Sequence, residues 1–226
     1  MEDVLFENLD VDGANIGCCR SHKPGHSKYF DVEVNDSTVS SSWAFEDPAA
    51  QALNAIAVGD GPSDRDGRLV DICCLEIRGF WSRPATESAT GPSSSPLVRC
   101  VVVLDRQANG AQGTASDIFN DGSEPTLSMR SWERVPRYLI LWDRTFALNF
   151  PILNEGAANL FSRARGRLPF HKKIVFDPPV RVWYKGSAGD VTDISTNALH
   201  VACVQERSAN ESDCKINYRA RLMFVG

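Results

Sequence analysis

The sequence predicts an all-β sandwich of the jelly-roll or immunoglobulin type, on three observations. Apolar, β-branched runs recur between turn-rich stretches. No internal repeat and no long segment of helical period interrupts them. The 226 residues, 42% hydrophobic and 23% charged, suit one globular all-β domain with a sizeable core.

The strands are read in order. "KYFDVEV" (28–34) and "TVSSSWAFED" (38–47) come first. "RLVDICCLEIRGFW" (68–81) is long and mostly apolar, and "LVRCVVVLD" (97–105) is nearly continuous Val and Leu, so it is expected to be buried on both faces. "RYLILWDRTFAL" (137–148), "HKKIVF" (171–176), "VRVWY" (180–184) and "NALHVACVQ" (197–205) follow. The closing strand "KINYRARLMFV" (215–225) alternates: Ile216, Tyr218, Ala220, Leu222 and Phe224 share a core face, and Lys215, Asn217, Arg219 and Arg221 share a polar, basic one.

The connections are also informative. Asp105-Arg106-Gln107 ends an apolar strand, and Asn109-Gly110 turns the chain with residues that tolerate positive φ, so the tripeptide reads as a strand end rather than a catalytic tip. Short helices are expected in 47–61 and in "TASDIFN" (114–120), the latter capped by Thr114 or Ser116. "PATESATGPSSSP" (84–96) is a Ser/Pro/Gly loop. "NFPILNEGAANLFSRARGRLP" (149–169) is long for a compact domain. Its Ile152, Leu153, Leu160 and Phe161 are too apolar for a free loop, so they are expected to bury against a neighbouring subunit. The spacing of Cys and Trp does not fit an immunoglobulin domain. The expected architecture is therefore a single eight-stranded jelly-roll sandwich over residues 28–226, with long loops and one or two short helices. Residues 1–27 are expected to form an extended or interface-forming N-terminal segment.

The charge of −5 is unevenly spread. Residues 1–50 hold three Lys/Arg against ten Asp/Glu, whereas residues 130–226 hold fifteen against nine. Such asymmetry suits an oriented molecule. The acidic start lacks the apolar core of a signal peptide, and no run of about 18 apolar residues would cross a membrane. Seven cysteines, an odd number, without a secretory signal point to reduced thiols. Cys73, Cys74, Cys100 and Cys203 lie in apolar strands and read as small buried hydrophobes.

Catalytic signatures are missing. The sequence has four His and neither G-x-S-x-G, H-E-x-x-H nor a phosphate-cradling Gly loop. "CCRSHKPGH" brings Cys18, Cys19, His22 and His26 together, residue types that bind zinc. Adjacent cysteines rarely both ligate one tetrahedral ion, so this stretch reads as a segment with free thiols. Neither a metal nor any other cofactor is expected. The five Trp read as core or subunit-interface anchors rather than base-stacking platforms.

Four blocks, in order, carry a family resemblance: "ALNAIAVGDGPSDRDGRLVDICCLEIRG", "VVVLDRQANGAQGTASDIFNDGSEP", "MRSWERVPRYLILWDRTFAL", and "KKIVFDPPVRVWYKG" with "NALHVACVQ" and "KINYRARLMFVG". Over about residues 50–226 the chain resembles the capsid proteins of circular single-stranded-DNA viruses of the geminivirus and genomovirus group. The resemblance implies a non-enzymatic virion protein that self-assembles into an icosahedral shell of identical subunits around single-stranded DNA, with assembly in the host nucleus or cytoplasm and no membrane partner. It also brings the Cys18–His26 stretch closer to Cys/His combinations proposed near geminivirus capsid N-termini. Such capsids usually begin with an Arg/Lys-rich arm, and this chain has an acidic start instead. Affinity for DNA comes mainly from cationic neutralisation, so either the arm has been left off or a basic inner face takes its place. The candidates for that face are Lys215, Arg219 and Arg221, then Arg163, Arg165, Arg167, Lys172 and Lys173. The alternative from another class is a jelly-roll ligand-binding module, lectin-like or a trimeric ligand, that forms no capsid.

Overall fold

A computed structural model describes residues 27–47, 51–82, 97–119, 124–148, 167–206 and 214–226. Nine strands occur among them: β1 (Ser27–Thr38), β2 (Ala44–Phe45), β3 (Leu69–Ser82), β4 (Leu97–Asp105), β5 (Tyr138–Ala147), β6 (Arg167–Tyr184), β7 (Ile194–Thr196), β8 (Ala198–Gln205) and β9 (Lys215–Val225). They form two antiparallel sheets, β1-β9-β3-β6-β7 and β2-β8-β4-β5. The first four strands of one sheet and the four of the other are ordered as two interlocked Greek keys, which is the jelly roll. The expected eight-stranded roll is thus present, with three-residue β7 added at the edge of β6.

Burial follows from the side-chain pattern. β9 alternates without a break, and Ile216, Tyr218, Ala220, Leu222 and Phe224 all enter the core between the sheets. β4 and β8 are apolar on both sides because sheet β2-β8-β4-β5 has two coverings. On its inner side lies the main core, with Trp81, Val102, Leu199 and Val201. On its outer side the β4–β5 connection folds back. Ala115, Ile118 and Phe119 pack there on Trp43, Val101, Val103, Tyr138, Ala202 and Val204. The rings of Trp43 and Phe119 stack at 4.0 Å, under the guanidinium of Arg99.

Several local expectations change. The runs 171–176 and 180–184 are one strand, β6, pairing with β3 throughout. The register jumps from Val175 to Val180 against Cys74 and Ile72, so Pro178 and Pro179 sit where no ladder bond is lost. Asp177–Pro178 is a cis peptide. In 38–47 only Ala44 and Phe45 pair as a separate strand, because the intervening serines carry the chain from one sheet to the other. Residues 51–61 hold turns and no helix, and 48–50 lie outside the described residues. The 114–120 helix is a single 3-10 turn, Ala115–Asp117. Thr114 occupies the cap position without a side-chain bond to the backbone. The turn at Asn109-Gly110 forms as expected, with φ of 52° and 74°. Cys73, Cys74, Cys100 and Cys203 are all buried, but Cys73 is disulfide-bonded, which corrects the expectation of reduced thiols throughout.

One end of the roll is knit by buried polar groups. Asp105 is fully buried and accepts from Nε and Nη2 of Arg137 at 2.9 and 2.8 Å and from the Gln107 amide. The strand end is therefore a structural clasp. Arg65, also fully buried, donates to the carbonyls of Ile56, Gly67 and Gly186 and lies 4.2 Å over the Tyr184 ring. Between the sheets, Ser37 of β1 donates to the Glu46 carboxyl and Tyr218 of β9 donates to the Glu46 carbonyl, while the Glu46 amide reaches Val201 of β8. Next to it, Asp47 accepts from the Val201 amide and from Gln112, and lies 2.5 Å from Nδ1 of His200. Burial pushes the Glu46 carboxyl up to about 7, and pushes Asp47 up against the pull of His200.

Candidate nucleic-acid interface

The outer face of sheet β1-β9-β3-β6 is built by parity. Residues turned away from the core on β9 meet those on β1, β3 and β6 in rows across the strands. One row reads Asp31, Arg221, Glu76, Lys173. The next reads Glu33, Arg219, Arg78, His171. Lys215 and Arg167 meet at Ser82 farther along. Along these rows the cations Arg78, Arg167, Lys173, Lys215, Arg219 and Arg221 outnumber the carboxylates Asp31, Glu33 and Glu76, and farther along the same face Arg181 pairs with Asp71. Asp31, Glu33, Glu76, Arg78, Arg219 and Arg221 line a shallow concavity of about 530 Å³.

The acids and bases are matched locally. Arg221 holds Asp31 in a two-pronged contact at 2.7 and 2.6 Å, and this bond keeps the Asp31 carboxyl below its ordinary range. Arg219 lies 3.0 Å from Glu33. The bonds from Asn35 and then Arg219 lower the Glu33 carboxyl as well. Arg78 donates to Glu76 at 2.6 Å, and His171 lies 3.0 Å from the same oxygen. Lys173 and Lys215 have no carboxylate partner among the described residues. The Arg219 and Arg221 guanidinium groups remain well exposed, at 77% and 57%. Exposed pairs of this kind are worth about 0–1 kcal/mol, so a phosphate can replace the carboxylate at small cost.

The sequence candidates divide on this geometry. Lys215, Arg219 and Arg221 share the face, and Arg167 and Lys173 join them from β6. Lys172 has the opposite parity and lies opposite Ile77, on the core side. Arg167 also lies 4.4 Å over the Phe80 ring. Arg163, Arg165, Ile152, Leu153, Leu160, Phe161, Cys18, Cys19, His22 and His26 lie outside the described residues. Two members were missed: Arg78 and His171. Arg78 sits in a strand that reads as apolar, and only the cross-strand register brings it beside Arg219. Of the aromatics, Trp43 and Trp81 are core residues, whereas Trp132 and Trp183 are exposed.

Among the described residues, no cluster of three or more His, Cys, Asp or Glu side chains is arranged to hold a metal ion, and no helix is long and apolar enough to cross a membrane.

No family model and no curated protein matches the chain. Among solved structures, it is similar to the infectious bursal disease virus VP2 subviral particle, at 9% identity and a TM-score of 0.30 over 88% of this chain and 33% of that one. It is similar to dimeric latent PorU from Porphyromonas gingivalis, at 7% identity and 0.33 over 88% and 13%. A third likeness is to the Penaeus stylirostris densovirus capsid, at 8% identity and 0.22 over 88% and 79%. The chain thus spans a third or less of the first two structures.

Proposed function

We propose that this chain is a capsid subunit that self-assembles into a closed icosahedral shell around single-stranded DNA. The observation that supports this reading is the strand order. β1-β9-β3-β6 faces β2-β8-β4-β5, and the sequence blocks resembling single-stranded-DNA virus capsids fall on β4, β5, β6, β8 and β9 in turn. The role is structural: paired sheets give a rigid brick, and long connections are left for contacts between bricks. Ile152, Leu153, Leu160 and Phe161 are proposed to lie in such a contact. The basic face of β9, with Lys173, Arg167 and Arg78, is proposed to look inward at the phosphates.

Electron microscopy of the purified chain tests the assembly. Closed particles are expected, whereas a homogeneous monomer or trimer under all assembly conditions favours the ligand-binding alternative. The DNA face is tested separately with Arg219→Gln and Arg221→Gln. Each lost cation should lower the slope of log affinity against log salt by about one unit. Intact shells with unchanged DNA content would remove this face as the packaging surface.

A further inference from the structure

The segment 124–134, on the connection from β4 to β5, is amphipathic the wrong way round. Thr126 and Ser128 are buried, while Leu127, Met129 and Trp132 are 65%, 77% and 86% exposed. A solvent-facing loop of a monomer would place these residues the other way. Here the arrangement is fixed from beneath. Nη1 of Arg99 donates to the carbonyls of Thr126 and Ser128 at 3.2 and 2.7 Å, and the same guanidinium holds Asp143 of β5 at 2.5 Å. The Thr126 hydroxyl donates to Glu206 at 3.0 Å. Arg130 donates to the carbonyls of Val135 and Tyr138, and the Ser131 amide donates to Ile118. Backbone carbonyls and the Thr126 hydroxyl thus act as anchors, and the apolar side chains are held outward on a braced platform.

We infer that this platform is a self-docking surface for a second copy of the chain, related by a two-fold axis. Two observations favour a copy over another partner. Beside Trp132 stand Glu133 and Arg134, adjacent, exposed, of opposite charge and without an ion-pair partner among the described residues. A two-fold contact needs a self-complementary patch, and such a pair supplies one: Glu133 of each copy meets Arg134 of the other. The platform also leads straight into β5, the edge strand of its sheet among the described residues, where Leu139 is exposed too. The apolar surface therefore adjoins an open strand edge that a symmetric copy can approach.

The inference rests on the shell-subunit reading and names one of its contacts. The full chain and its variants are compared by sedimentation equilibrium below the concentration at which particles form, with urea midpoints as a check on folding. Trp132→Ser should weaken dimerisation at least about tenfold, as for a central aromatic anchor, with an unchanged urea midpoint. Glu133→Arg and Arg134→Glu should each weaken it, and the two together should restore it. An unchanged dimer affinity in Trp132→Ser, or a charge swap that fails to rescue, would overturn the inference. A wild-type chain that stays monomeric but binds phosphatidylcholine vesicles through Trp132 would overturn it too. Dimers without particles under any condition would sink the shell reading and leave this contact standing. Particles that form normally while Trp132→Ser leaves the dimer affinity intact would do the reverse.

Discussion

The two sheets meet the same core on their inner sides and differ on their outer ones. Sheet β2-β8-β4-β5 carries a second apolar layer in which Phe119, Ile118 and Ala115 cover β4 and β8. Among the described residues, sheet β1-β9-β3-β6-β7 carries no second layer and is held laterally by charge, through Asp31–Arg221, Glu33–Arg219 and Glu76–Arg78. One sheet is therefore stabilised from above by burial. The other contributes almost nothing through its outer side chains, which leaves them available for contact with something else.

Two truncations test whether the covering layer is a true second core. Phe119→Ala should cost about as much stability as Trp81→Ala in the main core, ~3–5 kcal/mol each by urea unfolding. A cost under about 0.5 kcal/mol for Phe119→Ala, the range of ordinary surface changes, would mean that the layer merely rests on the sheet. The clasp beneath that layer comes next. Arg137→Ala leaves the buried Asp105 carboxylate without its cation and should cost about 3 kcal/mol. Replacing both residues by apolar ones should recover most of it.

The third prediction concerns the strut between the sheets. The Glu46 carboxyl is raised to about 7 by burial, against the bond from Ser37. Below the ordinary Glu range both folded and unfolded chains are protonated there, so the stabilisation is complete. Between the ordinary Glu range and 7 the unfolded chain ionises while the folded one stays protonated, so stability falls across that window by roughly 2–3 kcal/mol and levels off above 7. Urea midpoints measured from pH 5 to 8.5 should fall in the wild type and stay flatter in Glu46→Gln. The smallest effect belongs to the bare face. Arg221→Gln should change stability by less than about 1 kcal/mol, and less still in high salt. A larger, salt-resistant loss would show that the charged ladder is structural and would erase the contrast between the sheets.

The sequence resolves these two sheets unequally. β9 is legible because one face is wet, so its alternation is unbroken. β4 is legible as a strand buried on both faces, but the sequence does not reveal what buries its outer side. The covering residues lie in a connection of mixed composition, and Phe119 looks like any loop aromatic. β6 reads as two strands because its prolines imply a break, and only the register shift against β3 accommodates them. The candidate interface is legible along β9 and blurred across it. Spacing groups Lys172 with Lys173, while the pleat separates them, and Arg78 enters only through pairing between residues distant in sequence. The inverted segment 124–134 escapes notice for a related reason: its anchors are carbonyls held by Arg99, and no side-chain pattern reports that.

The placement of β9 between β1 and β3 fixes the order in which the molecule can be completed during synthesis. Ser27 is paired with Val225, and Thr38 with Lys215, so β1 leaves the ribosome long before its partner exists. Until β9 emerges, both β1 and the flank of β3 present open strand edges, with the apolar faces that β9 will cover. Nascent chains are then exposed to pairing with one another, a hazard of folds dominated by distant contacts. Crowded polysomes would raise that hazard. Slow translation ahead of residue 215 would prolong the vulnerable interval, and stalled or shortened products should collect among the aggregates.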